Sequence, residues 1–271
     1  MLMVARQRWM ALMALLLLLG PAGAAGADEQ SAVLRIRADE WYPINGKPQA
    51  ERPGFAIEIL RQIMRPHGVT LDYRIMPWER SVATVRAGLA DCVIGAFRGD
   101  APDFLFSDQA LGRGGIHLYV RRGDDFRYVD PASLDGIEIG VIGGYSYGPE
   151  LDAYLEARAG SGVQVVKANN GLEQNIRKLL GGRIRATPEL DLVMQSKLDE
   201  IGRIDDVLEA GAVNEAQPMY LACAPSLPSS AEFIARYDQG IVQLRQNGEL
   251  QLLMQRYGLQ DWAVGASAAA R

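Results

Sequence analysis

Histidine is scarce in this chain. Only two, His67 and His117, occur among 271 residues, and they stand far apart with no cysteine or histidine cluster beside either. No group of side chains has metal-ligand spacing, so neither a metal nor another cofactor is expected. Cysteine is equally sparse. Cys92 and Cys223 are too few for a disulfide scaffold, and each sits in an apolar, strand-like run ("DCVIGAF" and "MYLACA"). A buried thiol and a bridge both fit such runs, and spacing alone does not choose between them. Positive charge is not in excess: 28 Lys and Arg against 33 Asp and Glu leave a formal charge of −5. That balance argues against a nucleic-acid or anionic-membrane surface. Beyond the N-terminus there is also no apolar run of membrane-spanning length.

The one long apolar run lies at residues 9–19. Arg6 and Arg8 precede it, a stretch of small residues follows at 21–27, and Ala25-Gly26-Ala27 matches an A-x-A cleavage site. Residues 1–27 therefore read as a secretory signal peptide. No cysteine follows the run, so lipid attachment there is not expected. Cleavage would leave 271 − 27 = 244 residues and, with two arginines lost, a charge of −5 − 2 = −7. An exported, periplasmic protein is the expectation.

The remaining chain alternates strand-like and helix-like periodicity. Strands are predicted at 33–38, 70–75, 92–97 and 116–121, with helices at 55–64 and 80–89. This order predicts a mostly parallel sheet covered by helices. Arg121-Arg122-Gly123-Asp124-Asp125 breaks it with charge and a glycine, a predicted crossing between lobes. The pattern then restarts, with strands at 137–142, 163–166, 184–186 and 219–224. Helices are predicted at 150–157, 172–180, 189–198, 230–246 and 249–257. Two successive α/β blocks with a cleft between them follow.

At the start of the second block, Gly144-Tyr145-Ser146-Tyr147-Gly148 fits G-x-S-x-G, the turn that displays a nucleophilic serine between strand and helix. Such a serine needs a histidine base, which in that fold follows it in the chain. Both histidines precede Ser146, and Lys167 and Lys178 read as surface residues, so hydrolysis is not expected. "GVIGGYSYG" also fails G-x-G-x-x-G. The turn has another use: backbone N–H groups left open at a helix N-terminus bind anions.

Several stretches, in order, resemble the periplasmic solute-binding proteins that deliver polar amino acids and related compounds to ABC importers, extracellular solute-binding protein family 3. "WYPINGKPQAERPGFAIEILRQI" is similar to the family's opening, and "PWERSVATVRAGLADCVIGAF" to its second helix and third strand. "FSD" at 106–108, "SLDGIEIGVIGGYSYG" and "LLGGRIRATPEL" resemble later landmarks. The resemblance implies a two-lobed α/β fold of the periplasmic-binding-protein type II class. Lobe one would comprise 28–121 and 218–271, and lobe two 122–217. Two chain crossings would form the hinge, with a small-molecule ligand trapped by closure. It implies ABC-transporter membrane subunits as partners, and a chain that acts as a monomer without enzymatic activity.

Carried over residue by residue, the resemblance places Trp41 and Trp78 against the ligand. Arg98 stands near its carboxylate, and Arg80, at a helix start two residues beyond Trp78, is a further candidate that a solvated position fits equally. Tyr145, Ser146 and Tyr147 meet it from lobe two, and Glu189 holds its amino group. One departure matters: the position of the arginine that clamps an amino acid's carboxylate is here Asp100. A longer or differently charged ligand is then open, including polyamine-like, opine-like or aromatic compounds. Two alternatives share the fold: an exported enzyme resembling cyclohexadienyl dehydratases, with Glu189 as acid or base and Arg98 as anchor, and a sensor module acting on a membrane partner.

Overall fold

The structure, a computed structural model, describes residues 32–263; the predicted signal peptide lies outside them. Eleven strands and seven α-helices are seen among the described residues. Strands β1 (Val33–Ala38), β2 (Thr70–Ile75) and β3 (Cys92–Ala96) pair in parallel, β1 lying between the other two. Helices α1 (Phe55–Met64) and α2 (Trp78–Arg86) make the crossovers that parallel pairing requires. Two short strands, β4 (Leu105–Phe106) and β5 (Gly112–Gly114), come next, and β6 (Ile116–Arg121) follows.

The second block repeats the scheme. Strands β7 (Ile139–Ile142), β8 (Val163–Val166) and β9 (Ala186–Leu190) are parallel, with β7 central. They are linked by α3 (Pro149–Ala157) and α4 (Gly171–Leu180). Helix α5 (Asp191–Glu200) leads to β10 (Val207–Ala212), β11 (Gln217–Cys223) and two closing helices, α6 (Ser229–Gln246) and α7 (Glu249–Gln255).

Two sheets result. The first has the order β2-β1-β3-β11-β4, with β5 also on β11, and the second β10-β6-β9-β7-β8. Strand β6, expected in lobe one, instead pairs antiparallel with β9 and β10 in the second sheet. The chain therefore leaves the first sheet between Gly114 and Ile116, not at the charged segment 121–125, and returns between Ala212 and Gln217. The sheets are also more mixed than expected: β11 runs antiparallel to β3, as β6 does to β9. Periodicity does not encode strand direction, which explains the miss. Strand β10, with its alternation interrupted by a bulge between Glu209 and Gly211, was not foreseen.

Central strands β3, β7 and β9 are buried along their whole length, as expected of strands covered on both faces. Helix α1 buries Phe55, Ile59, Ile63 and neighbouring apolar residues against α6 and α7. Its entry depends on Gly54, whose φ of 110° and lack of a side chain let it pass Ile44; a Cβ there would lie 2.4 Å from the Ile44 carbonyl oxygen. Asp91, nearly buried, accepts the Arg35 backbone N–H at 2.7 Å and its guanidinium at 2.8 and 3.0 Å, pinning β1 to the start of β3.

The cysteines are bridged. Cys92 on β3 lies opposite Cys223 on β11, joining residues 131 apart in sequence. A closed loop this long removes much conformational freedom from the unfolded chain. Replacing both cysteines by serine is expected to lower unfolding free energy by about 2–5 kcal/mol. Denaturant titration of the double variant checks this, and an unchanged midpoint contradicts it.

Candidate functional site

Loops at the C-terminal ends of the parallel strands of both sheets meet face to face, where open α/β sheets bind ligands. From the first sheet come Asp39 and Trp41 after β1, Trp78 after β2, and Phe97 to Asp100 after β3. From the second come Tyr145 and Ser146 after β7, and Glu189 near the end of β9.

Hydrogen bonds cross between them. The Trp41 indole N–H donates to Glu189 Oε1 at 2.8 Å, the Tyr145 hydroxyl to Asp39 Oδ2 at 2.6 Å, and the Ser146 backbone N–H to Asp100 Oδ1 at 2.8 Å. Tyr145 stands edge-on to both indoles, its ring centre 6.3 Å from Trp41 and 6.1 Å from Trp78. Farther out, Lys197 reaches Glu40 at 3.0 Å, Lys47 reaches Glu200 at 3.2 Å, and Lys167 reaches Glu79 at 2.8 Å. The approach is close enough that a Cβ on Gly99 would sit 2.3 Å from Ser146 Oγ.

Between these walls lies a cavity of about 20 Å³ faced by Trp41, Trp78, Phe97 and Tyr145, with Asp39 and Asp100. Its volume suits a water or a single small group. A larger chamber of about 620 Å³ adjoins it, sharing Phe97, Ile116 and Ser146, and is lined further by Arg98, Asp152, Asn214 and Tyr220.

The predicted residues distribute unevenly. Trp41, Trp78, Tyr145 and Ser146 line the small cavity together. Glu189 stands behind Trp41 and is 1% exposed; its Oε1 also accepts the Leu190 N–H, while Oε2 has no partner. It lies on strand β9, not at the start of a helix as expected, because α5 begins two residues later. Arg98 points into the larger chamber, its guanidinium over the rings of Tyr220 and Phe106 at 4.6 and 5.0 Å. Two predictions are corrected. Arg80 lies exposed on α2, which begins two residues before the predicted start, and lines neither space. Tyr147 turns into the core of the second block, where its hydroxyl accepts the Ile142 N–H at 2.8 Å. Alternation along the turn sends Tyr145 and Tyr147 to different environments.

Sequence reasoning missed Asp39, Phe97 and Asp152 and saw Asp100 only as a missing arginine. The signal for Asp39 was an acid closing an apolar strand just before Trp41. Asp152, in the first turn of α3, takes the Ser146 hydroxyl and the Tyr147 backbone N–H, each at 2.7 Å. The anion-binding turn is thus filled by the protein's own carboxylates, Asp152 and Asp100.

Burial dominates the electrostatics. It pushes Asp39 up to about 6, with the Tyr145 hydroxyl opposing and Glu40 adding. Asp100 keeps some residue surface in solvent, but its carboxyl is hemmed in, and burial pushes it up to about 7. The Ser146 and Phe97 N–H groups oppose that rise, and Asp39 and Asp152 reinforce it. Glu189 is likewise pushed up to about 7 by burial, against the Trp41 and Leu190 donors. The Tyr145 phenol is held well above its ordinary value by burial and the nearby carboxylates, so it donates to Asp39 rather than ionising. Trp78, 4% exposed, has an indole N–H with no partner.

Raised carboxyl values carry a definite sign. Between about pH 4 and 7 the folded protein binds protons at Asp39, Asp100 and Glu189 that the unfolded chain has released, so stability falls as pH rises through that window. The carboxyls lowered by arginine or lysine, Asp72, Asp103, Asp124 and Glu200, act below it. The thermal midpoint without ligand is expected to be several degrees higher at pH 5 than at pH 8. Asp39→Asn, Asp100→Asn and Glu189→Gln should each flatten that slope; an equally steep profile in all three would place its origin elsewhere.

No curated protein sequence matches the chain. Among solved structures, an ancestral arginine-binding protein bound to glutamine superposes with a TM-score of 0.69 at 17% identity, covering 83% of this chain and 97% of the other. A structure concerned with glutathione import through GshT and the cystine ABC importer TcyBC of Streptococcus mutans gives 0.70 at 16% identity, covering 86% and 99%. A histidine kinase sensor domain with similarity to periplasmic binding proteins gives 0.69 at 17%, covering 83% and 95%. Identities this low establish a shared fold, the two-lobed type II architecture, and no more. Residues 34–260 match the family described as bacterial extracellular solute-binding proteins, family 3, and the chain belongs to that family.

Proposed function

We propose that this protein binds a small polar solute, an amino acid or related compound, in the periplasm between two lobes and presents it to the membrane subunits of an ABC importer. Each lobe is built on one sheet: residues 32–114 with 217–263 form lobe one, and 116–212 form lobe two. The joints are Gly115 and residues 213–216. The single observation that carries this reading is the cavity faced by Trp41, Trp78 and Tyr145, crossed by hydrogen bonds from one sheet to the other.

At about 20 Å³ that cavity has no room for a whole amino acid, so a solute enters by parting the lobes. Closure on the solute then draws on its greater affinity for the closed arrangement. Family membership supports solute binding, and structural neighbours include proteins of ABC import. A sensor-domain neighbour keeps presentation to a membrane sensor as a second reading. Glu189 serves in this account as an acceptor that orients Trp41 and meets the solute, with no proton transfer to substrate.

Thermal-shift screening against amino acids, amines and organic acids is expected to find at least one compound that raises the midpoint by several degrees. Trp41→Ala or Trp78→Ala should weaken that compound's binding at least tenfold by calorimetry. The protein should not consume prephenate or arogenate. Silence across the panel, or turnover of either acid that Glu189→Gln abolishes, would overturn the reading.

A further inference from the structure

We propose that the solute's recognised group is an amine cation, and that the site selects against a carboxylate on the carbon bearing it. The proposal rests on the solute-binding reading above and names the ligand class of that site.

Charge is the first ground. Asp39 and Asp100 line the cavity and Glu189 stands directly behind Trp41, while no lysine, arginine or histidine lines it. A cation entering there meets the two carboxyl groups of the wall, with a third behind Trp41, and an anion meets no compensating cation in a place where water screens little. The second ground is the wall itself. Trp41, Trp78, Phe97 and Tyr145 surround the space, with Tyr145 edge-on to both indoles. Aromatic faces around a small volume attract ammonium groups. About 20 Å³ is the size of one such head, not of an ammonium and a carboxylate side by side.

Independent of the acidic cluster, two buried polar atoms have no partner. Glu189 Oε2, on a side chain 1% exposed and bonded through its other oxygen to the cavity wall, lacks a donor. The indole N–H of Trp78, 4% exposed in the same wall, lacks an acceptor. Unsatisfied groups this deep mark a place where a ligand completes the hydrogen bonding. An ammonium supplies the donor that Glu189 lacks, while the Trp78 N–H needs an acceptor, which a cation does not offer, and so lends the amine no support.

The decisive feature is Asp100. The N–H groups of the Ser146–Tyr147 turn, before α3, are the donors best placed to hold a ligand carboxylate. Asp100 takes the Ser146 N–H, and Asp152 takes the Tyr147 N–H and the Ser146 hydroxyl. The protein thus supplies its own carboxylates where a ligand's would go. Arg98, which lines the outer chamber, is stacked on Phe106 and Tyr220. The body of the ligand passes into that chamber through the shared boundary of Phe97, Ile116 and Ser146. Any acidic or acceptor group it carries sits there, remote from the ammonium.

Matched pairs test this by isothermal titration of the purified protein: agmatine with L-arginine, cadaverine with L-lysine, and phenethylamine with L-phenylalanine. In at least one pair the amine should bind tenfold or more tightly than its amino acid. Asp39→Asn should weaken that amine at least tenfold, and Asp100→Asn should shrink the amine-to-amino-acid ratio by removing the carboxylate charge that opposes a ligand carboxylate beside the Ser146 N–H. Should Asp100→Asn fail to fold, the wild-type ratios and Asp39→Asn still decide. Amino acids binding as tightly as their amines in every pair would overturn the inference while leaving solute binding intact. So would silence of all the amines while another compound stabilises the protein. Silence toward every compound, the wider panel included, would overturn both.

Discussion

Desolvated carboxylates held across a cleft are the constraint around which this molecule is arranged. Asp39, Asp100 and Glu189 come from three strand ends on two different sheets, and each is bonded to a donor on the opposite sheet. An ionised carboxyl out of water is costly unless donors and charges compensate it, and here only neutral donors do so. The site is therefore held together and strained by the same groups. Hydrogen bonds favour the close approach that lets Gly99 touch Ser146, while the unneutralised charge opposes it. Under the proposed function that tension would act as a lever, a ligand that brings the missing charge favouring the close approach more than the empty site can.

Supporting structure keeps those strand ends where they must be. The disulfide from Cys92 to Cys223 and the buried clamp of Asp91 on Arg35 fasten β1, β3 and β11 at the end away from the cleft. The ends facing the cleft are left to the loops. Tyr147, locked by the Ile142 N–H and by Asp152, sets the turn that aims Tyr145 and Ser146 outward. It shapes the wall without lining either cavity.

The sequence made the alternation of elements readable, because buried strands and amphipathic helices leave strong periods in hydrophobicity. It also made Trp41, Trp78 and the 144–148 turn readable, since aromatic residues and glycines at strand ends are few and distinctive. What it hid had physical reasons. Strand β6 has the same apolar pattern whichever sheet it joins, so the crossing at Gly115 was misplaced to the charged run after it. Glu189 read as a helix N-terminus because Pro188 before it is common there, yet the strand runs to Leu190. Arg98 looked like a clamp by its type, but neighbouring rings of Phe106 and Tyr220, distant in sequence, draw its guanidinium away. Asp39 and Asp152 resemble many surface acids until the fold removes water from one and hands backbone donors to the other.

Selectivity in such a site is a difference between two closures, not a property of either. An ammonium and an α-amino acid both offer a cation to Glu189. They diverge only at the turn before α3, where a ligand carboxylate would have to displace Asp100 from the Ser146 N–H and leave that side chain unpaired. The displaced carboxyl would then share a poorly hydrated space with Asp39 and with the newcomer. Three carboxyl groups would crowd a wall that holds no lysine or arginine to compensate them.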